Sequence, residues 1–174
     1  LRSLVGSEMC IRDSYISVKK FVNPFSVIAH MALGLLIISI AFNSLLSSER
    51  AMNVVFNEAE KYKDLTIVLK NLGVENNSNY DSVKATFFVK DLKGNSFNLY
   101  PEKRRYFTRG QITTETAIHT TVLRDIYMTI GEQLDDGSWV VNIQINYLIR
   151  WIWISAMLMG FAGLLLIVSK RYKT

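Results

Sequence analysis

The stretch PFSVIAHMALGLLIISIAFNSLL, residues 24 to 46, runs for 23 residues without a Lys, Arg, Asp or Glu. As a helix rising about 1.5 Å per residue it reaches about 34 Å, against a hydrocarbon thickness of about 30 Å. Asn23 is an N-cap residue type, and Pro24 stands where a helix's first N–H needs no partner. The run is also too long for the apolar core of a secretory leader. A second uncharged run, Trp151 to Ser169, has 19 residues and reaches about 28 Å. It opens with Trp151 and Trp153 and closes with Lys170 and Arg171, aromatic anchors at one interface and cations at the other. The competing reading, a buried helix of a soluble protein, fits poorly with two uncharged runs of about 18 residues or more.

Charge distribution supports two spans. The 174 residues include 20 Lys plus Arg, 15 Asp plus Glu and a single cysteine, for a net charge of +5. One cysteine forms no intrachain bridge, so a disulfide-stapled secreted module is excluded. Residues 47 to 149 hold 12 basic and 13 acidic side chains, and the cationic surplus lies outside them. Arg2, Arg12, Lys19 and Lys20 precede the first run; Arg150 heads the second; Lys170, Arg171 and Lys173 follow it. This is membrane topology and not a nucleic-acid surface. The expected organisation is a cytoplasmic flank at 15–23, a span at 24–46, an outer domain at 47–149, a span at 150–169 and a cytoplasmic tail at 170–174. In a bacterium the outer domain faces the periplasm across the inner membrane. The first fourteen residues, LRSLVGSEMCIRDS, resemble translated adapter read-through and are read as a non-native leader in which Cys10 carries no meaning. On that reading the chain is the C-terminal piece of a longer protein.

Between the runs the period becomes two. Leu65, Ile67 and Leu69, then Val83, Ala85, Phe87 and Val89, then Trp139, Val141, Ile143 and Ile145 alternate with their neighbours as half-buried strands do. Asp91-Leu92-Lys93-Gly94-Asn95 is a hairpin loop leading into Phe97, Leu99 and Tyr100. Asp135-Asp136-Gly137-Ser138 turns the chain from Ile126, Met128 and Ile130 into the Trp139 strand. About six short strands predict a small antiparallel β barrel or sandwich between two transmembrane helices, an α+β membrane protein.

Chemistry-bearing residues are few. Two distant histidines and one cysteine make no catalytic zinc site, and there is no phosphate-binding glycine loop, nucleophile elbow or Cys-x-x-Cys. His30 is the one ionisable side chain inside the first run, about 9 Å past Pro24. An unsatisfied imidazole in hydrocarbon costs several kcal/mol. Ser26 and Gly34, one turn to either side, put little bulk around it, so that a flat macrocycle can approach the backbone. Two readings stand: a haem-iron ligand, or a packing contact with the ring bonded to a carbonyl.

A set of short motifs follows in order. They are Ala29-His30 with Gly34, Glu49-Arg50, Pro101-Glu102-Lys103-Arg104-Arg105-Tyr106, Thr114-Glu115-Thr116-Ala117-Ile118, Arg124-Asp125-Ile126-Tyr127 with Gly131-Glu132, Asp136-Gly137-Ser138-Trp139, Arg150-Trp151-Ile152-Trp153, and Gly160 with Gly163. Over about Val27 to Tyr172 the chain resembles the C-terminal end of the CcmF/NrfE family, the haem lyase subunit of system I cytochrome c biogenesis. It departs at Asn146-Tyr147, where the family usually has Lys-Pro. The resemblance implies a membrane b-type haem held between two helix histidines, with His30 similar to the second. It also implies haem delivery by the chaperone CcmE at the outer face, partners of the CcmH and CcmI type, and covalent attachment of haem to apocytochrome c. The remaining haem-handling residues would lie upstream, so no catalytic residue falls in this segment and it is expected to be inactive as a lyase on its own.

The outer domain offers subsidiary candidates. Lys103, Arg104, Arg105 and Arg109 suit haem propionates or an acidic partner, or else form a solvated strand end screened by Glu102 and nearby carboxylates, the favoured reading. Arg124-Asp125 and Glu115 are a candidate ion pair, Trp139 is expected in the core, and His119 on the surface. The alternative to a lyase component is a membrane-anchored periplasmic β-domain that only binds partners.

Overall fold

The computed structural model describes residues 23 to 171 apart from Arg109. The expected leader at 1–14 with Cys10, the flank as far as residue 22, Arg109 and the final tail residues 172–174 lie outside the described residues. Helix α1 spans Pro24–Leu46, and Asn23 Oδ1 accepts the Phe25 N–H at 3.0 Å, the expected N-cap. Helix α2 spans Ile149–Arg171 and so runs past the uncharged stretch at both ends. Cations at a span's end stop the apolar count without stopping backbone hydrogen bonding. Both helices are long and apolar enough to cross a membrane, and the chain is an α+β membrane protein.

α1 as far as Ala41, together with α2, falls in one compact unit, and Phe42–Leu148 forms another. In the helix unit the buried side chains among the described residues are small: Ala32 and Ser39 on α1, Ser155 and Ala162 on α2. Ser39 Oγ donates to Leu35 O at 2.8 Å and Ser155 Oγ to Trp151 O at 2.6 Å, so each buried hydroxyl is satisfied within its own helix.

The second unit is a β-sandwich. Its strands are β1 (Ser48–Val54), β2 (Ala59–Tyr62), β3 (Leu65–Asn76), β4 (Tyr80–Asp91), β5 (Ser96–Leu99), β6 (Glu102–Tyr106), β7 (Ile112–Glu115), β8 (Ala117–Thr120), β9 (Arg124–Gln133) and β10 (Trp139–Tyr147). One antiparallel sheet has the order β1-β10-β9-β8; the other has β2-β3-β4-β6-β7, with β5 also on β4. β5 and β6 lie along one edge of β4, separated at Pro101, which has no N–H for a ladder; its carbonyl still accepts from Ala85 N at 3.0 Å.

The alternating residues make the core. Leu65, Ile67, Leu69, Ala85, Phe87 and Val89 from one sheet are buried with Ile126, Met128, Ile130, Val141, Ile143 and Ile145 from the other. A bulge between Leu69 and Asn71 slips the register by one residue, so Leu72, opposite Ala85, takes over the inner face. Gly94, at φ 88°, and Gly137, at φ 82°, occupy the left-handed positions of the two expected turns. Ten strands replace the expected six. β1, β8, β2 and β7 are sheet edges, where one side meets solvent and alternation fades. β6 hides behind the consecutive cations Lys103, Arg104 and Arg105.

A second irregularity in register falls at Trp139/Val141, opposite Gly131. A Cβ on Gly131 would stand 3.2 Å from Val140 O and 3.3 Å from Val140 Cβ. In chemical denaturation of the full chain in detergent, Gly131→Ala should lower the stability of the β-sandwich by about 1 to 3 kcal/mol through overpacking. Phe87→Ala, which empties a fully buried position, should cost about 3 to 5 kcal/mol.

Candidate functional site

His30 lies on an exposed face of α1. Two residues along a helix turn the side chain by about 200°, so the ring stands almost opposite Ala32, a buried residue of that helix. Among the described residues the stripe Ser26, His30, Gly34 is therefore not the packed face. His30 Nδ1 is 2.7 Å from Ser26 O. A carbonyl only accepts, so Nδ1 carries a proton; in the neutral ring this leaves the lone pair on Nε2. Nε2 has no partner among the described residues. A Cβ placed on Gly34 would meet nothing within 4 Å, so the neighbouring turn leaves the ring's approach open. A donating Nδ1 and a free Nε2 are the form in which an imidazole binds a metal, with the carbonyl fixing tautomer and orientation. The residues present fit a haem-iron ligand. Among the described residues no group of three or more His, Cys, Asp or Glu side chains is placed to hold a metal ion, so a bare-metal centre has no donor set.

The cationic segment on β6 is largely neutralised within the domain. Arg104 Nε donates to Glu102 Oε1 at 3.0 Å and its Nη1 to Glu115 Oε1 at 3.4 Å, while its guanidinium lies 5.1 Å from the Tyr80 ring centroid. The hydrogen bond with Arg104 holds the Glu102 carboxyl below its ordinary pKa. Lys103 pairs with Glu132 on β9. Arg105 is exposed and Arg109 lies outside the described residues. The screened strand end is the arrangement found.

The expected pairing of Arg124-Asp125 with Glu115 needs correction. Adjacent strand residues point to opposite faces, and Arg124 reaches across to the other sheet: its Nη1 donates to Asp64 Oδ2 at 2.5 Å and its Nη2 lies 3.9 Å from Asp91 Oδ2. Burial works against the Arg124 charge, and the hydrogen bond and charge of Asp64 outweigh it. Glu115 instead serves Arg104. Trp139 packs against the core, half-buried. His119 is also half-buried, contrary to the expected surface placement. Its ring stacks on Phe97 with centroids 3.6 Å apart and planes 7° from parallel, joining β8 of one sheet to β5 of the other. Nothing in the local sequence announces the pair, since Phe97 and His119 meet only across the sandwich.

The family model described as the CcmF C-terminal beta-sandwich matches residues 45–146, more than half of the chain and almost all of the unit just described. The chain belongs to the CcmF family. It is similar to the cytochrome c-type biogenesis protein CcmF of Escherichia coli (strain K12), with 32% identity over 84% of this chain and 23% of that protein. The CcmF of Haemophilus influenzae is 31% identical over 84% of this chain and 23% of its own length. A solved structure of the cytochrome c heme lyase CcmF superposes with a TM-score of 0.64 at 14% identity, over 80% of this chain and 23% of that one. That likeness shows the same fold. The chain thus spans under a quarter of the length of these CcmF relatives, and His30 lies N-terminal to the matched β-sandwich.

The His119 stack gives the CcmF β-sandwich a pH dependence. Burial lowers the His119 pKa from its ordinary 6.5, with the Arg124 charge adding to the effect and Asp125 opposing it. The neutral ring is favoured in the folded state, so the contribution is complete above about 6.5 and is lost as pH falls through the lowered folded-state pKa. Thermal melts of the full chain in detergent between pH 8 and pH 5 should show the midpoint falling with acidification. His119→Phe should flatten this slope, and an unchanged slope would show that the stack carries no linkage.

Proposed function

We propose that this chain supplies the outer β-sandwich and a haem-ligating helix of the membrane haem lyase of cytochrome c biogenesis. The observation that carries the proposal is the His30 geometry: Nδ1 bonded to Ser26 O at 2.7 Å, on an exposed helix face where Nε2 meets no partner among the described residues. Membership of the CcmF family supports the setting, and relatives carry names in cytochrome c-type biogenesis. In this reading α1 and α2 cross the bacterial inner membrane, and the β-sandwich faces the periplasm. His30 would hold the iron of a b-type haem, with another ligand from outside the described residues. Bound there, the haem would supply a redox centre within the membrane.

The residues of this chain do the positioning. Ser26 O fixes the imidazole tautomer, and the open turn at Gly34 leaves the ring accessible. The β-sandwich supplies no catalytic group; it works at the outer face, where CcmE, CcmH or CcmI type subunits and apocytochrome c meet. Two of the three β6 cations, Lys103 and Arg104, are engaged by Glu132, Glu102 and Glu115. Cations held in this way are poorly placed to take either haem propionates or an acidic partner.

The test is spectroscopic. Co-expressed with the N-terminal segments that its relatives carry and purified in detergent, the protein should show a b-type Soret band. His30→Ala should lower haem per polypeptide at least about tenfold, as loss of a metal ligand does, while His119→Ala leaves it unchanged. Undiminished haem in an intact His30→Ala assembly rules out the ligand role and leaves the anchored partner-binding domain.

A further inference from the structure

We propose that Leu92, Val122 and Leu123 form an apolar rim that seats the β-sandwich in the headgroup region of the bilayer. These three side chains are 84%, 68% and 63% exposed, although all are large and apolar. They belong to the β4–β5 and β8–β9 connections, and hydrogen bonds within the β unit place those connections beside the residues where the chain enters and leaves it. Leu123 O accepts the N–H of Leu148, the residue before α2, at 2.9 Å. Lys63, in the β2–β3 turn, donates from Nζ to the carbonyl of Leu46, the last residue of α1, at 3.3 Å. Leu92 donates its N–H to Asp64 O, the next residue in that turn, at 3.1 Å.

Each connection is thus one or two hydrogen bonds from a helix end. Strands bonded in this way lie about 5 Å apart, while the interfacial zone in which apolar faces settle is about 5 to 10 Å deep. If the helices span the bilayer, these side chains have no place to go but its surface. The charges agree. Asp64 and Asp91, the carboxylates of the same connections, are held by Arg124 at 2.5 Å and 3.9 Å, so they present less free negative charge to lipid phosphates. Lys63 and Lys93 add cations at the same end, suited to phosphate headgroups. The occupant is lipid and not a protein partner because the covalent path fixes the location: Leu148 is followed directly by an uncharged, membrane-length helix.

The inference rests on reading α1 and α2 as membrane spans and is independent of haem. Its test uses the full chain in a Cys10→Ser background, reconstituted in phosphatidylethanolamine and phosphatidylglycerol vesicles. Single cysteines at positions 92, 122, 123, 134 and 38 carry a nitroxide, and power saturation compares access to oxygen with access to an aqueous nickel chelate. Position 134 lies in the β9–β10 connection, at the far end of those strands, and position 38 in the middle of α1. The oxygen-to-nickel ratio at 92, 122 and 123 should exceed that at 134 by about threefold or more, as for interfacial side chains, with 38 higher still. If 38 is lipid-exposed while the three rim sites match 134, the rim is refuted and the spans stand. If 38 itself matches 134, the span reading fails and the rim falls with it.

Discussion

The β-sandwich depends on one packed seam, where the inner face of β3 and β4 meets the inner face of β9 and β10. Phe87, Leu65, Ile67 and Leu69 on one side and Met128, Ile130, Ile143 and Ile145 on the other are all buried. Burying an apolar side chain of this size contributes about 1.5 to 3 kcal/mol each, and a domain of this length has no other term as large. Everything else is arranged around the seam. The edge strands hold polar sequence because they need only one partner, the turns take glycine where the backbone becomes left-handed, and ion pairs and the His119–Phe97 stack close the gaps between the sheets.

The same logic explains what the sequence revealed. Alternation identified β3, β4 and β10 because those strands bury one face against the seam, and the absence of charge marked the two helices because hydrocarbon tolerates none. β1, β2, β7 and β8 were illegible for the converse reason: sheet-edge residues such as Glu49, Arg50, Thr113 and Thr114 sit partly in water. Tertiary partners were illegible in another sense. Arg124 finds Asp64 across 60 residues of chain, and the adjacent Asp125 was a misleading candidate because neighbours on a strand diverge. His30 was visible as a lone imidazole in an apolar run, but its free nitrogen and exposed face are facts of the helix geometry. The family was recognisable from short motifs in order, several of which now have structural roles: Arg124 bridges the sheets, Gly131 lies at the register slip, and Glu102 engages Arg104.

Electrostatics within the domain is mostly local. Arg104 bridges Glu102 and Glu115, Arg124 bridges Asp64 and Asp91, and Lys103 pairs with Glu132. Such pairs between partly exposed groups are worth about 0 to 1 kcal/mol each, too little to drive folding. Arg124–Asp64 and Lys103–Glu132, which join segments 60 and 29 residues apart, help to select which strands face one another. The middle of the chain thereby stays close to neutral, while the cationic excess remains beside the apolar runs.

β1 is the first strand of the domain and β10 the last, yet they pair along their whole length, from Ser48 opposite Ile145 to Val54 opposite Trp139. Closing that ladder requires the final strand, so the sheet cannot be completed until the chain has been made as far as Tyr147. β1 has no other partner in its sheet and must wait for β10. Loop closure over such a distance is slow, and during the delay β1 shows a bare edge to the surroundings. A chaperone or partner subunit able to shield that edge would find its substrate in this interval, before the finished sandwich hides it.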